Sequence, residues 1–251
     1  MISEALKAGG DFAELYAEKR RTTSLSFEDG RLEKSSSGSV AGASVRVIRG
    51  RNTAFVSTDR FDEEALINAA RLAGEGAGDG GAEPQNLVTS TGSSVHNIEM
   101  PVGSVATADK AALLAEADRA ARSSGREVAQ VTAGYSDTLS EVMVANSEGC
   151  LATEERTRVR LVVHVVAIRD GVMQTGYESI GAHKGMELFR DTGPASVGEK
   201  AAAKAIRMLD SRPAPGGKMT VVLHRGFGGV LFHEACGHGL EADAVEKGAS
   251  V

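Results

Sequence analysis

The chain has 251 residues, 41% apolar and 25% charged, with a formal net charge of −6, 4% aromatic residues and no tryptophan. That length can bury one large domain or two modest ones, while an acidic balance without a long basic run argues against direct nucleic-acid binding, and scarce aromatics argue against base-stacking platforms. Two cysteines, Cys150 and Cys236, make no disulfide framework, and no apolar run approaches a membrane span or a secretory leader, so a reducing, cytoplasmic compartment and no membrane partner are expected.

"ISEALKAG" reads as a short helix stopped by Gly9 and Gly10. "DFAELYAEKRRTTSLSFEDGRLEKSSS" alternates in part around "EDG", which predicts a hairpin. "SVAGASVRVIRGRNTAFVSTD" predicts two more strands around "RGRN". "FDEEALINAARLAGEGAG" is an amphipathic helix with acids in its first turn, Leu66, Ala69, Ala70 and Ala73 on its buried face, and Gly74 as its stop. Residues 76–106, rich in glycine and poor in apolar residues, read as a linker. A second helix follows over 106–125, with Gly125 as its C′ residue. Three or four strands come next, in "REVAQVTAGYSD", "SEVMVANSEG", "TRVRLVVHVVAIRDG" and "MQTGYESIGAH". The third of these turns continuously apolar, as a central strand does. "SVGEKAAAKAIRMLDS" is a third helix, ended near "RPAPGG". After it, "KMTVVLH" predicts a compact buried strand and "RGFGGVLFHEACGHGLEADA" a helix opened by glycines.

Blocks of strands separated by helices predict an α+β fold with mostly antiparallel sheets and a few packed helices, followed by the start of a second α+β domain. The expected divisions are an N-terminal α+β module over 1–80, a linker over 81–105, a second α+β part over 106–212, and the truncated start of a further domain over 213–251. Fewer than 40 residues cannot build a core of their own, so the chain reads as the front part of a longer protein.

The chemistry concentrates in "FHEACGHGLEAD", residues 232–243. It begins like the zinc-protease signature His-Glu-x-x-His, but His238 follows His233 by five residues. On a regular helix the two imidazoles are about 140° and roughly 7.5 Å apart, against about 40° and roughly 6 Å for the usual spacing. Ideal geometry does not easily bring both rings within about 2.1 Å of one zinc ion. A π-turn cures this by making i and i+5 the aligned pair, and Gly237 and Gly239 on either side of His238 permit a widened turn. The expectation is an i→i+5 backbone bond across 233–238; a regular α-helix there would count against it. With zinc (Zn2+) held by His233 and His238, Glu234 has the place of a general base that takes a proton from water. Glu241 lies roughly 12 Å along an ideal axis from His233 and reads as a side chain behind a metal ligand, or a solvated helix-face charge, rather than as a ligand.

The other candidates read more plainly. Cys236 is expected to face the core and Cys150 to be half-buried at a turn. His164 in an apolar strand is expected to be a hydrogen-bonded core histidine. His96 and His183 are scattered; His224 and Arg225 precede the motif helix and could face a cleft. "EKRR" and "RGR" read as solvated strand ends.

"HEACGHGLEAD" resembles the HExxxH segment of the TldD/PmbA family, zinc metallopeptidases once described as modulators of DNA gyrase. "ANSEGCLATEERTRVRLVVHVVA", "MQTGYESIGAHKGMELF" and "VVLHRGFGGVLFHEACGHGLEAD" are similar to TldD-type members in order and context. The resemblance covers essentially the whole chain but only the N-terminal part of a family member. It implies that His233 and His238 bind zinc, that Glu234 is the base, and that the third ligand is a cysteine beyond Val251, a place neither Cys150 nor Cys236 occupies. These residues by themselves are then expected to be inactive. The resemblance further implies a homodimer or a heterodimer with a TldE/PmbA-type subunit, and unstructured peptides, including leader peptides, as substrates read through their backbone. The competing expectation is a non-catalytic partner-binding or regulatory module of a gyrase-modulator or toxin–antitoxin pathway.

Overall fold

Long runs without proline, alternating apolar and polar, give four strands of 17 to 20 residues: β1 Phe12–Glu28, β2 Arg31–Arg49, β5 Val128–Asn146 and β6 Cys150–Arg169. The computed structural model describes residues 1–78, 84–90, 96–224, 226 and 228–250. These fall into two compact units, Met1–Ser211 and Arg212–Val251. In the first unit the remaining strands are β3 Asn52–Thr58, β4 Val88–Ser90 and β7 Val172–Ala182. Its helices are α1 Ile2–Leu6, α2 Glu63–Ala77, α3 Thr107–Ser123, α4 Leu188–Asp191 and α5 Pro194–Met208.

The fold is mixed α+β. One sheet runs in the order β3-β2-β1-β5-β6-β4, with β7 pairing β6. Every pairing is antiparallel except β4 with β6, where Val88–Ser90 lies beside Cys150–Ala152. The β1–β2 hairpin turns at Asp29 and Gly30, with φ of 46° and 81°, the left-handed pair that matches strand twist. β2 then runs unbroken through "SVAGASV", and β5 joins two runs that the sequence suggested were separate strands. No glycine or proline interrupts β5 at "DTLSE", and Asp137 there is buried in an ion pair, so the ladder continues. "EKRR" therefore sits within β1 rather than at its end. Strands on either side of residues 81–105 pair with one another, β1 with β5, so 1–80 and 106–212 share the sheet. Residues 79–83, at the start of that stretch and just before it, and 91–95 within it lie outside the described residues.

Two cores form on this sheet. In one, α1 and α2 pack Ala5, Leu6, Ala69, Ala70 and Ala73 onto Leu15, Val45 and Val47. In the other, α3 and α5 pack Leu114, Ala117, Ala121, Ala201 and Ala205 onto Val131, Leu161, Val163 and Val165. Arg31–Ala41 of β2 enters neither core and is exposed throughout. Asp62 caps α2 by accepting from the Ala65 amide at 2.9 Å. Gly74 does not stop this helix. A Cβ there would fall 2.3 Å from the Ala5 carbonyl oxygen, so glycine at 74 lets α1 lie against α2. Gly198 does the same for α5 against α3, where a Cβ would be 2.1 Å from the Ala117 carbonyl oxygen. Gly125 does not adopt the left-handed C′ conformation; it makes room for Ile206 instead.

Two buried polar groups tie the second core together. Lys110 Nζ donates to Asp137 Oδ2 at 2.7 Å, and Tyr135 Oη donates to the same oxygen at 2.7 Å. Burial and the Asp137 carboxylate push the Tyr135 phenol well up, so it stays a donor. Glu187, 2% exposed, accepts from the Gly185 amide at 2.8 Å and the Met100 amide at 2.9 Å, clamping two loops. Burial raises its carboxyl, but these amide bonds outweigh burial and hold it below the usual range.

The second unit is built of short pieces: α6 Gly228–Phe232, a π-helical turn His233–Gly237, a 3-10 turn His238–Leu240 and α7 Ala242–Glu246. None of its described residues is buried. The strand predicted at "KMTVVLH" is absent: the stretch is irregular and Val222 is 90% exposed. A strand needs a partner edge, and no described strand pairs with this segment.

Candidate metal centre

The motif winds as the spacing requires. The His238 amide donates to the His233 carbonyl, the i→i+5 bond of a π-turn. A turn widened by one residue returns position 238 to the side of position 233, and the two imidazole centroids lie 4.5 Å apart at 65°. Gly237 is needed for this. A Cβ there would press to 3.2 Å from His233 Nδ1. Glu234 enters the same space, with its Oε2 3.6 Å from His238 Nε2. One ligand atom from each of His233, Glu234 and His238 falls within 4.8 Å of the others.

After His238 the backbone tightens into a 3-10 turn and then opens, and Glu241 becomes the extended N-cap position of α7. Its carboxylate therefore does not lie far along a continuous helix. Glu241 Oε1 comes to 2.7 Å from His238 Nδ1. With that nitrogen carrying the proton toward Glu241, His238 presents its Nε2 lone pair to the space shared with His233 and Glu234. Two imidazoles turned to one point are donors suited to zinc, and the Glu234 carboxylate lies beside them where it can take up a proton. All three are exposed, as is Cys236, which does not face a core because none of the surrounding described residues is buried. His224 is exposed in an irregular stretch, and Arg225 lies outside the described residues.

The remaining sequence candidates lie in the first unit. Cys150 is half-buried at the start of β6, as expected of a turn-flanking residue. His164 is exposed rather than in the core, its ring 4.8 Å from Tyr177. Its strand alternates, and even positions point away from the helices. The sequence reading passed over three arginines on that same face, Arg156, Arg158 and Arg160; their spacing of two in "RTRVR" was the available signal. A concavity of 720 Å3 over Tyr16, Val40 and Phe55 belongs to the sheet and includes none of the motif residues.

Comparisons with known proteins agree with the motif. Residues 13–77 match the family model "PmbA/TldA metallopeptidase domain 1", and residues 101–209 match "PmbA/TldA metallopeptidase central domain". A protein named metalloprotease from Methanothermobacter thermautotrophicus is 33% identical over 96% of this chain and 53% of its own length. A metalloprotease TldD homologue from Haemophilus influenzae is 30% identical over 96% of this chain and 52% of its own. Among solved structures, a putative modulator of DNA gyrase from Bacteroides thetaiotaomicron superposes with a TM-score of 0.69, at 16% identity, over 85% of this chain and 49% of its own. TldE from Thermococcus kodakarensis superposes with a TM-score of 0.59, at 19% identity, over 78% and 44%. The chain thus spans about half the length of the curated relatives it matches. Two domain models covering more than half of the residues, in register with the fold and upstream of a two-histidine, one-glutamate cluster, place the chain in the PmbA/TldD family of metallopeptidases.

Proposed function

We propose that this chain carries part of the active site of a zinc-dependent peptidase that hydrolyses unstructured peptides, leader peptides among them. The observation supporting this most directly is the π-turn, which gathers His233, Glu234 and His238 around one point despite a spacing that a regular helix would splay apart. His233 and His238 hold the metal. The third protein ligand comes from outside these 251 residues, a reading supported by relatives about twice as long. A zinc ion bound there supplies Lewis acidity, polarising the scissile carbonyl and acidifying water to a pKa of about 7.

The chain's own residues do the rest. Glu234 accepts a proton from the attacking water on one carboxylate oxygen and delivers it to the leaving amine nitrogen. Glu241, bonded to His238 Nδ1, fixes the ring's tautomer and orientation. The protein works in the cytoplasm as a dimer, with a second copy or a TldE/PmbA-type subunit; the fold likeness to TldE supports a partnership between related chains. No helix among the described residues is long and apolar enough to cross a membrane.

The test has two arms. In the 251-residue chain, His233→Ala and His238→Ala should each abolish zinc binding measured calorimetrically. In protein purified with any downstream sequence, Glu234→Gln should keep its zinc and lose peptide cleavage by about 100- to 10,000-fold. Parent protein that binds no zinc and cleaves nothing would leave the non-catalytic regulatory module as the better account.

A further inference from the structure

The face of the sheet opposite the helices carries a second cluster of charge that the peptidase chemistry does not use. Along β6, Arg158 and Arg160 point to that face, both exposed. Their neighbours across β5 are hydroxyls, Thr138 beside Arg158 and Ser136 beside Arg160. Beyond these, on β1, stand Thr22 and Ser24. On the other side Arg160 faces Gly181 of β7. Ser136, Thr138, Arg158, Arg160, Gly181 and His183 line one concavity of 390 Å3.

The charges there are unbalanced. Arg156 nearby is neutralised by Glu154 and Arg20 by Glu18. Arg158 donates instead to His183 Nε2 at 3.2 Å, and Arg160 to Tyr177 Oη at 2.6 Å; neither has a carboxylate partner among the described residues. His183 stacks on His96 at 4.7 Å and has a buried Nδ1 without a hydrogen-bond partner. Burial first, then the charges of Arg158, His96 and Arg156, hold its imidazole below the ordinary value, with Glu154 opposing them. Two arginines whose Cα positions are about 7 Å apart on one strand, two hydroxyl donors and the hollow they line form a cradle for a doubly charged oxyanion.

We propose that the Arg158–Arg160–Ser136–Thr138 hollow binds a phosphate dianion, free or as the phosphoryl group of a small molecule. Forked guanidiniums match the tetrahedral oxygens, and the hydroxyls satisfy those the forks leave over. This site is independent of the metal centre and stands or falls separately from the peptidase reading.

The experiment is a titration of the 251-residue chain at constant ionic strength, following the His183 ring resonances by NMR. Inorganic phosphate should shift them saturably, with half-saturation at or below about 1 mM. Arg158→Gln and Arg160→Gln should each weaken binding at least about tenfold, with the thermal midpoint unchanged. Adenosine monophosphate binding more than about tenfold tighter than phosphate would assign the site to a phosphoryl group on a larger molecule; equal affinity would assign it to free phosphate. The proposal is overturned if the ring does not respond by about 10 mM phosphate, if the double variant binds like the parent, or if acetate competes as well as phosphate does.

Discussion

The two units of this chain make opposite use of their residues. Met1–Ser211 folds around two cores, pairs every described strand and closes its helix crossings with glycines. Arg212–Val251 buries none of its described residues, leaves Phe232 60% and Leu240 65% exposed, and yet contains the only group of three metal-competent side chains among the described residues. The difference teaches that catalytic geometry can be written locally, in the winding of a few residues, while the enclosure that makes it useful is supplied by other parts of a protein. A π-turn needs only neighbouring backbone groups; a dry, shaped cleft needs a core.

The largest expected contrast is in hydrogen exchange. Amides of β5 and β6 should exchange at least about 10,000-fold slower than a free chain, and those of 238–250 within about tenfold of it. Equal protection would break the comparison. Zinc should slow the amides of 233–238 specifically.

The next effect sits wholly in the first unit. Asp137→Ala strands the Lys110 ammonium in the core and should cost about 3–5 kcal/mol in urea unfolding. The matching change in the second unit, Asp243→Ala, removes an exposed pair with Lys247 and should be within about 0.5 kcal/mol of neutral.

A smaller effect tests whether the second unit is organised by its own contacts. Glu241→Ala removes the hydrogen bond to His238 Nδ1 and should weaken zinc binding about 10- to 100-fold. Unchanged affinity would show that the ring needs no such support.

The smallest concerns pH. The Glu187 carboxyl titrates lower in the folded chain than in the unfolded one, so its contribution is complete above the unfolded value near 4.3 and is lost as pH falls through the folded value. Glu187→Gln should cost about 1–2 kcal/mol at pH 7. Thermal midpoints of parent and variant should converge on acidification; a constant gap would mean that the carboxylate charge is irrelevant.

Much of this was legible in the residues. The α+β class followed from blocks of alternation, and the π-turn from an odd histidine spacing flanked by glycines. What failed to show had physical causes. "DTLSE" looked like a break because polar residues interrupt the apolar pattern, but Asp137 is paired inside the core. Gly74 and Gly125 looked like helix punctuation and instead admit close neighbours, a property of packing partners remote in sequence. "KMTVVLH" has strand composition, but strandedness belongs to a pair of segments, and no described strand pairs with it. Glu241 was placed on an ideal axis, whereas the coil tightens after His238 and brings its carboxylate back.

The unbroken length of β1 and β5 bears on how the first unit comes apart. Each strand enters both hydrophobic clusters, Leu15 with one and Leu25 with the other, and no joint lies between. Losing either cluster frays rails that the other is bolted to. A chain with two cores should therefore melt as one cooperative body, in a single transition, because the clusters share a spine instead of a linker.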